Sequence, residues 1–231
     1  MKLSKKIVPV AIASAMSVSA LLVATPAVAE VSANVAVSNM YLWRGVNLAQ
    51  NGGTVSGGLD YAHASGAYAG MWTSSESGGH ETDLYLGFSG EASGVGYDIG
   101  YIEYLYPEDG TAPKNGLSDT DVSELYLSGS YGPVTVGANF VTDSDYDDDA
   151  YYTISGEFGA VTATFGIWDI DDPKSANATP SFGGAEYSHL TLDYAATDEL
   201  TFSVSVASPD VTDAVEEDPL FVVTYAKSFD L

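Results

Sequence analysis

Residues Asp83–Tyr106 read DLYLGFSGEASGVGYDIGYIEYLY. Leu84, Leu86 and Phe88 share one parity, while Asp83, Tyr85, Gly87, Ser89 and Glu91 share the other. After a short Ser-Gly break, Val95, Tyr97, Ile99 and Tyr101 alternate with Gly96, Asp98 and Gly100. Period-two alternation makes a strand with one wet face and one apolar face. The fold turns on what covers the apolar face: a second layer of protein, or lipid.

Working outward, the first 29 residues carry an export signature and are set aside. Lys2, Lys5 and Lys6 precede an apolar run from Ile7 to Val23, and Ala27-Val28-Ala29 is an A-x-A cleavage site. A mature chain of one domain, 30–231, is expected. No later run is long and apolar enough for a membrane-spanning helix. The absence of cysteine excludes a disulfide framework and thiol chemistry. Removing the leader leaves four Lys and Arg against 32 Asp and Glu, a balance of −28. Such a chain repels phosphate backbones, so nucleic acid is excluded as a partner, and it attracts cations.

Twelve alternating segments follow: Val31–Leu42, Val55–Ala64, Ala67–Thr73, Thr82–Glu91, Val95–Tyr106, Val122–Tyr131, Val134–Val141, Tyr151–Phe158, Val161–Trp168, Ser188–Tyr194, Leu200–Ala207 and Leu220–Phe229. Five connections are short, at 65–66, 92–94, 132–133, 159–160 and 195–199, and Gly or Pro marks most of them as tight turns. The other six, at 43–54, 74–81, 107–121, 142–150, 169–187 and 208–219, are longer. Long and short alternate strictly, so all long connections gather at one end of the sheet. A Greek-key sandwich has no reason to obey that rule. An all-β, up-and-down antiparallel transmembrane barrel of about 12 strands does, with short periplasmic turns and long acidic extracellular loops.

Face sorting agrees. One parity gathers residues such as Leu59, Leu86, Ile99, Leu127, Val136, Ile154, Phe165, Leu192, Val204 and Val223, almost without charge. A charged side chain facing lipid at the midplane costs about 2–4 kcal/mol, so lipid would demand this absence. Unpaired backbone groups in lipid cost several kcal/mol each, so the first strand should pair with the last. Tyr61, Tyr131, Phe158, Tyr194, Tyr225 and Phe229 sit near strand ends, where interfacial aromatic girdles lie. The terminal alternation from Tyr225 to Leu231 looks like a strand read by the barrel-insertion machinery. Its Lys227 falls on the lipid-facing parity and can snorkel to water.

The stretch Val37–Ser77 resembles the opening of the TorF family of porin-like proteobacterial proteins, once catalogued only as proteins of unknown function. Tyr41, Arg44-Gly45, Gly57 to Tyr61, Gly66, Tyr68-Ala69-Gly70 and Trp72 carry the resemblance. The pieces ETDLYLGFSGE, GYDIGYIEYLYP and VSELYLSGSYG continue it in order. The resemblance implies an outer-membrane barrel of a Gram-negative bacterium and says little about a substrate.

The chemistry-bearing residues fall into three groups. His63, His80 and His189 are the only histidines, and none sits in a local nucleophile signature, so no catalytic residues and no enzyme are expected. Asp143, Asp145 and Asp147 begin like a Ca²⁺ loop, but the turn glycine and the closing Glu are missing. No cofactor is expected, and the acidic loops would attract Ca²⁺ or Mg²⁺ only weakly. The wet parity carries Asp60, Asp83, Tyr85, Asp98, Tyr104, Glu124, Tyr126, Glu157 and Asp193, and Arg44 stands at the end of the first strand as the counter-charge. Carboxylates around a narrow aqueous path favour cations. These ten residues are the expected pore lining. The expected function is passive diffusion of small polar or cationic solutes through an acidic lumen, with outer-membrane lipid and lipopolysaccharide around the barrel. Three alternatives stay open: a non-conducting structural or adhesive barrel, a barrel hydrolase, and a soluble secreted β-protein. Tyr85, Tyr104, Tyr126 and Trp168 all point inward and could block a barrel of this size.

Overall fold

Alternation becomes a closed cylinder because every strand finds a hydrogen-bonded neighbour on both sides. The computed structural model describes residues 29–48, 52–76, 79–106, 121–142, 149–169, 186–209 and 217–231. The barrel is built from β1 (Glu30–Ser38), β4 (Thr54–Ala62), β5 (Ala67–Glu76), β6 (Gly79–Ala92), β7 (Val95–Leu105), β8 (Val122–Tyr131), β9 (Val134–Val141), β10 (Ala150–Phe158), β11 (Val161–Asp169), β12 (Tyr187–Ala195), β13 (Leu200–Pro209) and β14 (Leu220–Asp230). Two short strands, β2 (Leu42–Trp43) and β3 (Val46–Asn47), form a separate ribbon. All pairings are antiparallel between sequence neighbours, and β1 closes the ring against β14 from Ser32↔Asp230 to Ser38↔Thr224. No edge is left for another chain to extend.

The apolar parity faces outward. Leu86, Ile99, Leu127, Val136, Ile154, Leu190 and Val223 are all exposed, while their strand neighbours Asp98, Glu124, Thr191, Ser203 and Thr224 are buried inside. This is the inverse of a soluble sandwich, whose apolar faces meet each other. The fold is that of a transmembrane β-barrel. An outward aromatic rim follows the short-turn end, where Tyr61, Tyr131, Phe158, Tyr194 and Phe229 are exposed. Lys227 points outward beside it, its ammonium 5.8 Å from the Phe229 ring centroid. At the Ser93-Gly94 turn both φ angles are positive, 56° and 81°, the signs of a tight two-residue hairpin turn.

Two expected boundaries are corrected. The first strand stops at Ser38, not Leu42. At Asn39 the backbone N–H still donates to the Val223 carbonyl at 3.3 Å, but the side-chain amide takes over the remaining bonds to β14. Its Oδ1 accepts from the Val223 N–H at 2.6 Å, and its Nδ2 donates to the Phe221 carbonyl at 3.0 Å. With the edge of β14 satisfied by a side chain, the main chain is free to leave the wall and turn into the lumen. Second, the connection expected at 74–81 is mostly strand: β5 and β6 stay paired out to Glu76↔Gly79. Ladder hydrogen bonds are made by the backbone and do not need the apolar side chains that end at Trp72. Residues 1–28, most of the expected export leader, and most of the long acidic connections lie outside the described residues.

Candidate functional site: an inward hairpin and its cage

The lumen has two zones of different chemistry. Toward the short turns it is polar, lined by Asp60, Tyr68, Asp98, Ser128, Thr153 and Asp193. Toward the long connections the inward parity turns apolar and aromatic. There Trp72, Val122, Val141, Tyr151, Trp168 and Tyr187 pack with Tyr41 and Trp43 of the inward segment. On the opposite flank, Leu42 packs on Leu220 and Val222. The hydrophobic core of this molecule is therefore a plug inside the long-loop half of the barrel.

The β2–β3 ribbon forms the centre of that plug, with Leu42 facing Asn47 and Trp43 facing Val46. Arg44 and Gly45 make its turn at φ values of 45° and 88°. Gly45 is required twice. Its φ is left-handed, and a Cβ there would lie 2.5 Å from Cβ and Cγ of His189. His189 in turn donates or accepts through Nε2 with the Tyr151 hydroxyl at 2.7 Å and through Nδ1 with Thr191 at 3.1 Å. The Tyr187 hydroxyl donates to the Arg44 carbonyl at 3.0 Å. The turn is thus gripped by the wall at its backbone as well as at its side chain.

Arg44 is only 3% exposed. Its Nη1 and Nη2 donate to the two carboxylate oxygens of Glu124 at 2.8 and 2.6 Å, a bidentate fork. The guanidinium carbon lies 4.4 Å from the Trp43 ring, 4.4 Å from the Tyr151 ring and 4.8 Å from the Trp168 ring. Glu124 also accepts from the Tyr104 hydroxyl at 3.1 Å and from Asn139 Nδ2 at 2.9 Å. Burial by itself lowers the pKa of Arg44, and the Glu124 carboxylate outweighs it, holding the guanidinium above its ordinary value. The pair is charge-neutral and hydrogen-bonded, which is the condition for an ion pair to survive burial. A second anchor sits nearby: the Tyr41 hydroxyl donates to Glu81 at 2.5 Å, and Tyr106 donates to the other oxygen of the same carboxylate.

The polar zone has its own arrangement. Tyr68 donates to Asp98 at 2.6 Å and meets the Tyr126 hydroxyl at 2.5 Å. Tyr85 donates to Asp60, which also accepts from Asn34 at 3.2 Å. Ser203 donates to Asp193 at 2.5 Å. Each of these tyrosines lies over the glycine directly across the ladder: Tyr68 over Gly87, Tyr85 over Gly70 and Tyr126 over Gly100. A Cβ on Gly70 would come 2.5 Å from the Tyr85 ring, and one on Gly100 would come 2.2 Å from the Tyr126 hydroxyl. The rings are laid along the wall where the glycines leave room. Tyr85 and Tyr126 therefore lie along the sheet; Tyr126 clusters with Tyr104 and Ile102, Tyr85 packs against both that cluster and the plug, and Trp168 belongs to the plug.

Of the ten residues expected at the lumen, nine face the interior, and the tenth, Glu157, sits exposed at the short-turn rim. Arg44 does not stand at the end of the first strand; it is the tip of the inward ribbon. Arg44, Tyr104 and Glu124 come together in one cluster, Asp60 and Tyr85 in a second, Asp98 and Tyr126 in a third. Sequence reasoning missed Tyr68, Tyr151 and His189 as partners in these clusters. A signal was present. In the halves of the strands next to the long connections, the wet parity carries Trp72, Ile102, Val122, Val141, Trp168 and Val222. Apolar side chains on a lumen face require something apolar inside to cover them.

His63 is exposed beside a short turn, its Nδ1 2.8 Å from Ser65 Oγ within that turn. The backbone N–H of Ser65 also donates to His63 Nδ1, at 3.1 Å, so the contact closes the hairpin locally. Among the described residues no group of three His, Asp or Glu side chains could hold a metal ion. Asp143, Asp145 and Asp147 lie outside the described residues.

No curated protein matches the chain in sequence. Among solved structures it is similar to the KdgM porin, at 10% identity over 86% of this chain and 98% of that one, with a TM-score of 0.49. It is similar at 9% identity, over 87% of this chain and 83% of the other, to a protein solved in work on in-meso crystallization of membrane proteins, with a TM-score of 0.53. Outer membrane phospholipase A from Escherichia coli shares 15% identity over 85% of this chain and 77% of that one, at a TM-score of 0.38. At 9% identity and a TM-score of 0.53, the second likeness speaks to the barrel fold and not to activity. Residues 24–169 match a family described as bacterial protein of unknown function (Gcw_chp), and the chain belongs to that family.

Proposed function

We propose that the chain is a porin-like channel of the Gram-negative outer membrane, through which small polar or cationic solutes diffuse past the Arg44 ribbon. The observation that carries this reading is the two-zone lumen. The polar half carries Asp60, Asp98 and Asp193, hydrogen-bonded to Tyr85, Tyr68 and Ser203, and the plug fills the other half. Carboxylates in the polar half lower the energy of cations and raise that of anions. Arg44 adds no net charge to the path, because Glu124 neutralises it. The acidic connections act in the same direction from outside and attract Ca²⁺ or Mg²⁺ weakly. The resemblance to the TorF family supports the same reading. Lipid and lipopolysaccharide would surround the wall, and the insertion machinery would read the C-terminal strand during assembly.

Planar-bilayer conductance tests the proposal. Purified protein should give stepwise currents with cation over anion selectivity. Asp60→Asn with Asp98→Asn should lower that selectivity, while a variant at exposed Glu157 should change it less. Silence across repeated insertions would instead favour a non-conducting structural barrel. One observation favours that second reading: Trp43 and Trp168, at the centre of the lumen, are 3% and 1% exposed.

A further inference from the structure

The cage around Arg44 has two sides of different origin. Trp43 belongs to the ribbon and moves with it. Glu124, Tyr151 and Trp168 belong to the wall, on β8, β10 and β11. Tyr151 and Trp168 are direct cross-strand partners, with ring centroids 5.8 Å apart. Asn139 of β9 sits between them and β8, facing Tyr151 on one side and Tyr126 on the other. Tyr104 and Asn139 hold the Glu124 carboxylate by hydrogen bonds that do not involve the ribbon. The wall half is therefore pre-organised: two aromatic faces and an oriented carboxylate. Trp168 Nε1 is buried and has no acceptor among the described residues, a polar group at the site still without a partner.

We propose that Glu124, Tyr151 and Trp168 form a guanidinium-binding station on the barrel wall, filled at rest by the chain's own Arg44 and open to a guanidinium-bearing solute when the ribbon withdraws. The chemistry is selective. A planar fork meets both carboxylate oxygens at once and lays its face on the rings, which a round ammonium cannot do equally well. In the resting state the ribbon competes as a tethered ligand, at a high effective concentration. A solute of the same class arriving from the acidic lumen would compete with Arg44 and favour the withdrawn state, which couples solute binding to opening. This role in transport rests on the channel reading; the binding site does not.

Arg44→Ala leaves the ladder of the barrel untouched, since β2 and β3 make no pairing with it. Titration of the detergent-folded Arg44→Ala protein with methylguanidinium, followed by calorimetry, should show one saturable site. Tetramethylammonium at matched ionic strength should bind much more weakly. Adding Glu124→Gln should weaken methylguanidinium by about tenfold or more, the loss expected for a charge-assisted bidentate pair. Arg44→Gln gives the same test should the alanine variant fail to fold. Non-saturable binding, or equal binding with and without the Glu124 carboxylate, would overturn the proposal. The titration is made in detergent and decides the station whether or not the barrel conducts.

Discussion

At the scale of single residues, Glu124 is the most consequential side chain in the lumen. It is fully buried and accepts from Arg44, Tyr104 and Asn139. Removing one partner of a buried ion pair leaves the other charge uncompensated, at a cost of about 3–5 kcal/mol. The ribbon can escape that cost by leaving the plug, since it is not part of the ladder. Glu124→Gln is therefore expected to expose Arg44 while the barrel survives. Trypsin reads this directly: the wild-type Arg44–Gly45 bond should resist cleavage, and the variant should yield a fragment beginning at Gly45 with heat-shifted gel mobility retained. Equal resistance in both proteins would show that the ion pair does not hold the ribbon. Arg44 was legible in the sequence as the lone lumen counter-charge. Its partner was not, because alternation tells which face a carboxylate occupies but not its depth or its neighbour around the ring. Asp60, Asp98 and Glu124 look alike along the chain; 80 residues separate Arg44 from Glu124.

At the scale of elements, the departure from regularity is the segment after β1. Asn39 substitutes its amide for the backbone and releases the chain inward, and the aromatic top of the lumen receives it. The strands themselves were readable to within a few residues, because each obeys a local rule. The ribbon obeys none: Leu42-Trp43 and Val46-Asn47 are too short for a period to show. Its trace in the sequence is indirect, in the apolar residues on the wet parity near the long connections. Replacing residues 40–52 by a short Gly-Ser link is expected to leave a closed, heat-modifiable barrel and to raise single-channel conductance by about twofold or more, since the narrowest section is removed. Unchanged conductance would place the limiting section elsewhere. The same variant uncovers Val122, Val141, Leu220 and Val222, so its unfolding midpoint should fall.

At the scale of the whole molecule, the question is which solvent faces the apolar parity. Leu127 and Ser128 are adjacent on β8, Leu127 outward and 48% exposed, Ser128 inward. Leu127→Lys should cost about 2–4 kcal/mol in a bilayer near the midplane, whereas a lysine on the polar lumen face should cost less. Unfolding in lipid vesicles by urea should therefore separate Leu127→Lys from Ser128→Lys by that amount, and equal losses would mean that lipid does not cover Leu127. Sequence by itself determined the strand order, the two faces, the hairpin-by-hairpin topology and the lipid side of the wall. Each of these follows from a pattern repeated locally in every strand, and lipid enforces that pattern everywhere by penalising any exception. Only the tertiary structure decided how the lumen is filled. That depends on which residues meet across the ring at one depth, after closure has brought β1 beside β14 and turned a short ribbon inward. Contacts of that kind arise from the three-dimensional closure of the sheet, and no period along the chain encodes them.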